Sequence, residues 1–233
     1  MPYFGFYFDP TYILVLIGVA VCFIASAQVK TTYKKYENVI SRSGYTADQV
    51  AYMILRNAGI TDVSIHHIPG DLTDNYNPRE HTLNLSDKVY GSRSIAAIGV
   101  AAHECGHAIQ HARHYVPLTV RSAIIPAANI GSSLAWPLVL IGLIIPRLDF
   151  CMTIGILLFS IVVILQLVTL PVEFNASRRA IQIIRDSGYL APDELKGAKS
   201  VLKAAAMTYV AAMVSVSLQL LRLVILRNSR DDD

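Results

Sequence analysis

Charge is what this 233-residue chain has least of. Charged residues make up 16%, against about 25% in soluble domains. That shortage argues against an ordinary soluble enzyme, whose surface needs charge to stay in solution. A net charge of +3 is too small for a nucleic-acid-binding surface, so no nucleic-acid partner is expected. Cysteine is also scarce. Cys22, Cys105 and Cys151 lie far apart and are odd in number, which excludes a disulfide framework and any CxxC metal site. With 53% hydrophobic residues, the chain is neither disordered nor a solvating tail. Composition leaves a membrane protein of one domain, or two small ones.

The apolar residues are gathered into four uncharged runs: Thr11–Val29, Ser122–Pro146, Phe150–Val172 and Ala204–Leu221. A helix needs about 20 mostly apolar residues to cross the hydrocarbon core. The first three runs pass, although Pro126 and Pro137 are expected to bend or break the second. The fourth carries Ser215, Ser217 and Gln219 beside Arg222. It reads as a span or as an amphipathic helix at the interface. Three to four transmembrane helices follow. The first run resembles a signal peptide in its Ala25-Ser26-Ala27, but its lysines follow the run instead of preceding it. A retained anchor fits better, with Tyr3, Phe4, Phe6, Tyr7 and Phe8 at the outer interface.

Lys and Arg orient the chain. Segments 30–121 and 173–203 hold 16 of them, and the remaining segments hold 4. The positive-inside bias puts both large polar segments in the cytoplasm. The expected organisation is an anchor helix at 1–29, a cytoplasmic domain at 30–121, a transmembrane hairpin at 122–172, cytoplasmic helices at 173–203, and a C-terminal helix and tail at 204–233. The first helix is expected to continue past Tyr33 toward Ser41. Thr46-Ala-Asp-Gln49 is a capping box that opens a helix stopping at Gly59. Val63–Ile68 and Thr82–Ser86 read as strands that pair in a small hairpin, with Asn75–Pro78 as a turn between them. A long helix begins at Ser92 or Ser94 and runs past His111. Pro192-Asp193-Glu194 opens another.

All seven histidines lie in 30–121. Two of them form His103-Glu104-Cys105-Gly106-His107, an HExxH motif. Residues i and i+4 share one helical face, so two imidazoles can converge on one Zn²⁺, while Glu104, offset around the helix, reaches a zinc-bound water. Zinc lowers the pKa of that water to about 7, and Glu104 accepts its proton during attack. Ala101, Ala102, Cys105, Gly106 and Ala108 allow close packing around a metal. Cys105, inside the motif and next to the metal, is expected to be open to oxidation. Gln110 and Arg113 stand where a metzincin would have Gly and His, so that class is excluded. His111 lies two turns from His103, about 12 Å along the axis, too far to share the ion. His111 and His114 read as surface histidines. Of His66, His67 and His81, one is a candidate oxyanion stabiliser. The third ligand has three candidates: Glu173, where a helix leaves the third run on the side of the motif, Glu194 and Asp186.

These residues resemble a family. The HECGH motif, Leu72-Thr-Asp-Asn-Tyr-Asn-Pro78, and Pro171-Val-Glu-Phe-Asn-Ala-Ser-Arg-Arg-Ala180 look like the bacterial membrane neutral zinc metallopeptidases (YugP-like). More distantly, they are similar to the HtpX-type membrane proteases and the CAAX prenyl endopeptidases. The resemblance covers nearly the whole chain. It implies a gluzincin-like site on a cytoplasmic α+β unit of a mostly α membrane protein. One zinc ion is then held by His103, His107 and Glu173, with Glu104 as base. In the distant relatives the third ligand lies in an E-x-x-A-D pattern. Glu173 and Ala176 match it, whereas Ser177 replaces the Asp, leaving Asn175 or Ser177 to support the site. The resemblance also gives Thr82–Ser86 the role of an edge strand that pairs with substrate backbone. Arg178, Arg179 and His81 are oxyanion candidates. The expected function is a multi-pass metalloendopeptidase of the bacterial plasma membrane, its site facing the cytoplasm and its substrates membrane-associated or misfolded proteins or peptides.

Two rivals stand beside this expectation. An intramembrane metalloprotease would need HExxH inside a span, but only ten residues separate Arg93 from Glu104, too few to cross. A non-catalytic zinc-braced scaffold would close its ion with four protein ligands and has no use for Glu104.

Overall fold

A computed structural model describes residues 9–231, with side chains described to residue 229. The aromatics of the first eight residues and the acidic C-terminus lie outside the described residues. In order, the elements are α1 (Tyr12–Tyr36), α2 (Ala47–Asn57), β1 (Ser64–Ile68), β2 (Asn75–Asn77), β3 (Thr82–Ser86), α3 (Ile95–Ala112), α4 (Val116–Ile144), a 3₁₀ turn (Pro146–Leu148), α5 (Phe150–Asp186) and α6 (Glu194–Asp231). α1, α4, α5 and α6 are long and apolar enough to cross a membrane, the last over Glu194–Ser229. Helices at 150–172 and 173–187, distinguished by their charge, are one continuous helix, as are those at 194–203 and 204–221.

The chain divides into two compact units. The first comprises residues to Ile24, Ser122–Leu167 and Val210 onward. Its apolar side chains point outward. Phe23 is 73% exposed and Ile130 61%, an arrangement that is costly in water and favourable in hydrocarbon. Pro126 and Pro137 neither break nor end α4, which corrects the expectation of a break. Close packing on α5 holds that helix in place. A Cβ on Gly131 would lie 2.8 Å from the Leu158 carbonyl oxygen, and one on Gly155 would lie 2.8 Å from that of Ala135. Small residues at such contacts let backbones approach and pack. Two arginines beyond the last run are paired. Arg222 bonds Asp9 at 3.1 Å and lies over the Tyr12 ring, and Arg227 bonds Asp149 at 3.2 Å.

The second unit comprises Ala25–Arg121 and Val168–Tyr209. α1 ends at Tyr36, short of Ser41. The backbone after it is extended instead, with Ile40 bridged to Ser94 and the Ser41 amide donating to the Arg93 carbonyl. The capping box of α2 is present, Thr46 and Gln49 each bonding the other's backbone. Such a cap is worth about 1 kcal/mol. Ser94 caps α3 by accepting from the Ala97 amide.

The strands differ from expectation. They form a three-stranded sheet in the order β1-β3-β2, with β1 and β3 parallel, and β2 and β3 antiparallel. The small hairpin is therefore β2–β3, and Asn75–Asn77, expected as a turn, is a strand. Asn84 Nδ2 donates to Asn75 Oδ1 across that pair. β3 is central, both of its sides already paired, so it has no free edge for substrate. Its Leu83 and Leu85 enter a core with Val50, Ile54, Ile98, Cys105 and Ile184. This core fixes α3 against α2, the sheet and the second half of α5.

Candidate metal centre

α3 presents His103 and His107 on one face, and α5 brings Glu173 to meet them. His103 Nε2 lies 3.2 Å from His107 Nε2. Glu173 Oε2 lies 3.3 Å from the first and 3.5 Å from the second. A tetrahedral zinc ion with donors at about 2.0–2.1 Å puts neighbouring donors about 3.3–3.4 Å apart. The three donor atoms thus already stand at the edge length of a zinc coordination tetrahedron. Two imidazoles and one carboxylate are also the donor types that zinc takes. Among the described residues, this is the one group of three His, Cys, Asp or Glu side chains close enough to share a metal.

Small side chains make the approach possible. A Cβ on Gly106 would lie 2.7 Å from the Ala176 carbonyl oxygen, so α3 and α5 touch backbone to backbone beside the donors. Glu173 is 2% exposed. Its second oxygen, Oε1, faces Arg121 Nη1 at 3.4 Å, which offsets part of the cost of burying a carboxylate.

The outer nitrogen of each histidine is also occupied. His103 Nδ1 pairs with Ser177 Oγ at 3.1 Å, and His107 Nδ1 with Gln110 Oε1 at 3.0 Å. An acceptor at Nδ1 leaves the lone pair on Nε2, where a metal takes it. Gln110 is fully buried. Its amide donates to the Val172 carbonyl at 2.8 Å and to Asn175 Oδ1 at 3.0 Å, and Asn175 also accepts from Arg179 Nε at 2.7 Å. Ser177 therefore touches a histidine directly, whereas Asn175 acts one residue further out.

Glu104 is 8% exposed and lines a cavity of about 400 Å³ together with His103, Glu173 and Ser177. Burial pushes its carboxyl above the ordinary carboxylate range, against the pull of His103 and His107. Cys105 points the other way, into the core. It is fully buried, its Sγ is 3.6 Å from the Ala51 carbonyl oxygen, and burial pushes its thiol well up. A thiol so placed is protected from oxidation, contrary to expectation.

Other candidates are placed elsewhere. His81 Nδ1 bonds Asp62 at 2.6 Å, and its ring meets that of His111 edge-on. His111 Nδ1 bonds the Tyr76 hydroxyl. His67 bonds Asp87 and stacks on Tyr90, and His66 bonds Ser64. Arg178 is exposed on α5. Asp186 is exposed beside Arg185. Glu194 accepts from the Ala191 and Arg42 amides at the start of α6. Neither acid reaches the histidines.

The family described as "Putative neutral zinc metallopeptidase" matches residues 11–228. The chain belongs to this family. It is 43% identical over 221 residues to "Putative membrane protease YugP" of Bacillus subtilis (strain 168), covering 94% of this chain and 98% of that protein. No solved structure matches. The family is one of zinc peptidases, and the three converging donors give this member a place for such an ion.

Sequence reasoning missed Gln110 and Arg121. Gln110 had a signal: a polar residue three positions after His107 on the same helical side. Arg121 had only its place as the last charge before the second run.

Proposed function

We propose that this protein is a membrane-bound zinc metalloendopeptidase, its zinc held by His103, His107 and Glu173 and its site facing the cytoplasm. The observation that carries the reading is the convergence of three donor atoms at 3.2–3.5 Å, with a buried carboxylate, Glu104, beside them on the cavity wall. Three protein donors leave a fourth position for water or substrate, as catalytic zinc sites do. That count favours an enzyme over a closed structural site. Zinc, when bound, acidifies water and polarises the scissile carbonyl. Glu104 takes the proton of the attacking water and delivers it to the departing nitrogen. Ser177 and Gln110 keep the two imidazoles turned toward the ion.

The cavity wall supports the substrate class. Val29 of α1 and Val201, Leu202 and Ala205 of α6 line it. Both helices belong to the set long and apolar enough to span a membrane. An apolar wall on such helices suits polypeptide that is membrane-associated or has lost its fold. Extended substrate would pair with a free strand edge. β2 is such an edge, and Asp74, which directly precedes it, lines the cavity. The intramembrane alternative is disfavoured because α3 is not among the four membrane-length helices. The 16-to-4 distribution of Lys and Arg supports a cytoplasmic site in the plasma membrane.

The deciding experiment is metal content of the purified full chain together with hydrolysis of an unfolded protein such as casein. One zinc per chain, lost in His103→Ala, with hydrolysis lost but zinc retained in Glu104→Gln, is the expected result. No metal in the wild type, or equal hydrolysis by wild type and Glu104→Gln, overturns the reading.

A further inference from the structure

Hydrolysis at this site leaves one task without a residue. Negative charge grows on the scissile carbonyl oxygen, and a preorganised hydrogen-bond donor there is worth a large part of the rate. The donors suggested by sequence do not line the cavity. Arg179 is held by Asn175, His81 by Asp62, and Arg178 points to solvent.

Most hydroxyls that do line the cavity are already committed. Ser177 Oγ pairs with His103 Nδ1 at 3.1 Å. Thr208 Oγ1 donates to the Ala205 carbonyl of its own helix at 2.6 Å. The Tyr33 hydroxyl donates to the Lys88 carbonyl at 3.2 Å. Ser26 and Lys30 stand on exposed turns of α1. Tyr209 is the remaining hydroxyl of the lining. It lines the cavity together with His103, Glu104 and Glu173, and its hydroxyl is within electrostatic reach of both carboxylates. The preceding turn of α6 is Ala205 and Ala206, small residues that also line the cavity.

We infer that Tyr209 is the oxyanion donor, its phenol O–H hydrogen-bonding the carbonyl oxygen of the scissile peptide as that oxygen gains charge. This assignment rests on the peptidase reading above. In the reaction the oxygen of water bonds to the carbonyl carbon and the C–N bond breaks. The proton that Glu104 removes from water goes to the nitrogen, so a carboxylic acid and an amine are formed. Tyr209 keeps its proton throughout. A phenol suits the task because, with an ordinary pKa of about 10, it is a neutral donor at working pH and does not repel a metal cation. Carried on a helix, it has only to turn its O–H from Glu173 to the substrate oxygen. Before substrate arrives, it is parked against Glu173.

The test is Tyr209→Phe in the zinc-loaded full chain. Zinc affinity by competition with a chromogenic chelator, kcat and KM on casein, and the inhibition constant of a peptide phosphonamidate are measured together. A phosphonamidate carries the tetrahedral oxyanion in stable form. The expected result is a kcat about 10²–10³-fold lower, little change in KM or zinc affinity, and a comparable rise in the phosphonamidate constant. Tyr209→Phe with wild-type kcat and inhibition overturns the assignment. So does a fall in zinc affinity that accounts for the lost activity, since Tyr209 would then only position Glu173. Glu104→Gln run alongside separates the two failures. Its inactivity beside an active Tyr209→Phe refutes this inference alone, whereas its activity refutes the peptidase reading beneath it.

Discussion

Gly106 and Ala176 stand so close that a methyl group on the glycine would lie 2.7 Å from the Ala176 carbonyl oxygen and 3.1 Å from its Cα. The obstacle is backbone, which cannot swing aside as a side chain can. Gly106 immediately precedes His107, and Ala176 follows Glu173 by one helical turn. The contact therefore sets the spacing of α3 and α5, and with it the distance between the imidazoles and the carboxylate.

Gly106→Ala is expected to push the two helices apart, at a cost of about 1–3 kcal/mol from overpacking. The same movement separates His107 from Glu173, so zinc affinity falls as well. Thermal unfolding and chelator competition on one preparation check both effects. Unchanged values in the two assays would contradict the role assigned to the contact.

Ser177→Ala removes the partner of His103 Nδ1 without opening a large void. Loss of such a partner is expected to weaken zinc binding about 10–100-fold. Gln110→Ala should do more. It frees His107 Nδ1 and also strands the buried Val172 carbonyl, a desolvation cost of about 1–3 kcal/mol. Zinc affinity and unfolding midpoint together separate the variants: Ser177→Ala changes mainly the first, Gln110→Ala both.

On the proposed reading zinc is held by residues from two helices, so its removal is expected to lower the unfolding temperature. At free zinc of about 100 times its dissociation constant, the ion adds about 2.7 kcal/mol. A chelator should therefore lower the melting point of the wild type and leave that of His103→Ala unmoved. Equal shifts in both proteins would mean that the chelator acts elsewhere.

Membrane orientation is tested by labelling. Glu80, exposed between β2 and β3, changed to cysteine in a Cys22→Ser background, is expected to react with a membrane-impermeant maleimide only after the cell is opened. Cys105 and Cys151 are buried and contribute little background. Reaction in intact cells would reverse the assigned topology.

Much of this molecule was legible in its residues because the signals were local. Uncharged runs gave the four long helices, Thr46 and Gln49 gave the start of α2, and the spacing of His103 and His107 gave half of the candidate centre. What escaped depends on partners far apart in the chain. β3 reads the same from its own sequence whether it is central or at an edge, and only pairing with both β1 and β2 decides. Asn75–Asn77 has turn composition, yet it forms a strand because Asn84 and Leu83 lie opposite it. Gln110 looks like any helical glutamine until Val172 and Asn175, over sixty residues on, close around its amide. Tyr209 needs α6 to pass beside Glu173 before its hydroxyl means anything.

Neither histidine leans on a carboxylate through its outer nitrogen; one has a serine hydroxyl, the other a glutamine amide. Neutral partners lend an imidazole less basicity than an anion would. Counting charges, a divalent ion with two neutral histidines and one glutamate keeps a residual +1, which one anionic partner behind a histidine would cancel. An ion in that setting is a stronger Lewis acid and a more exchangeable guest.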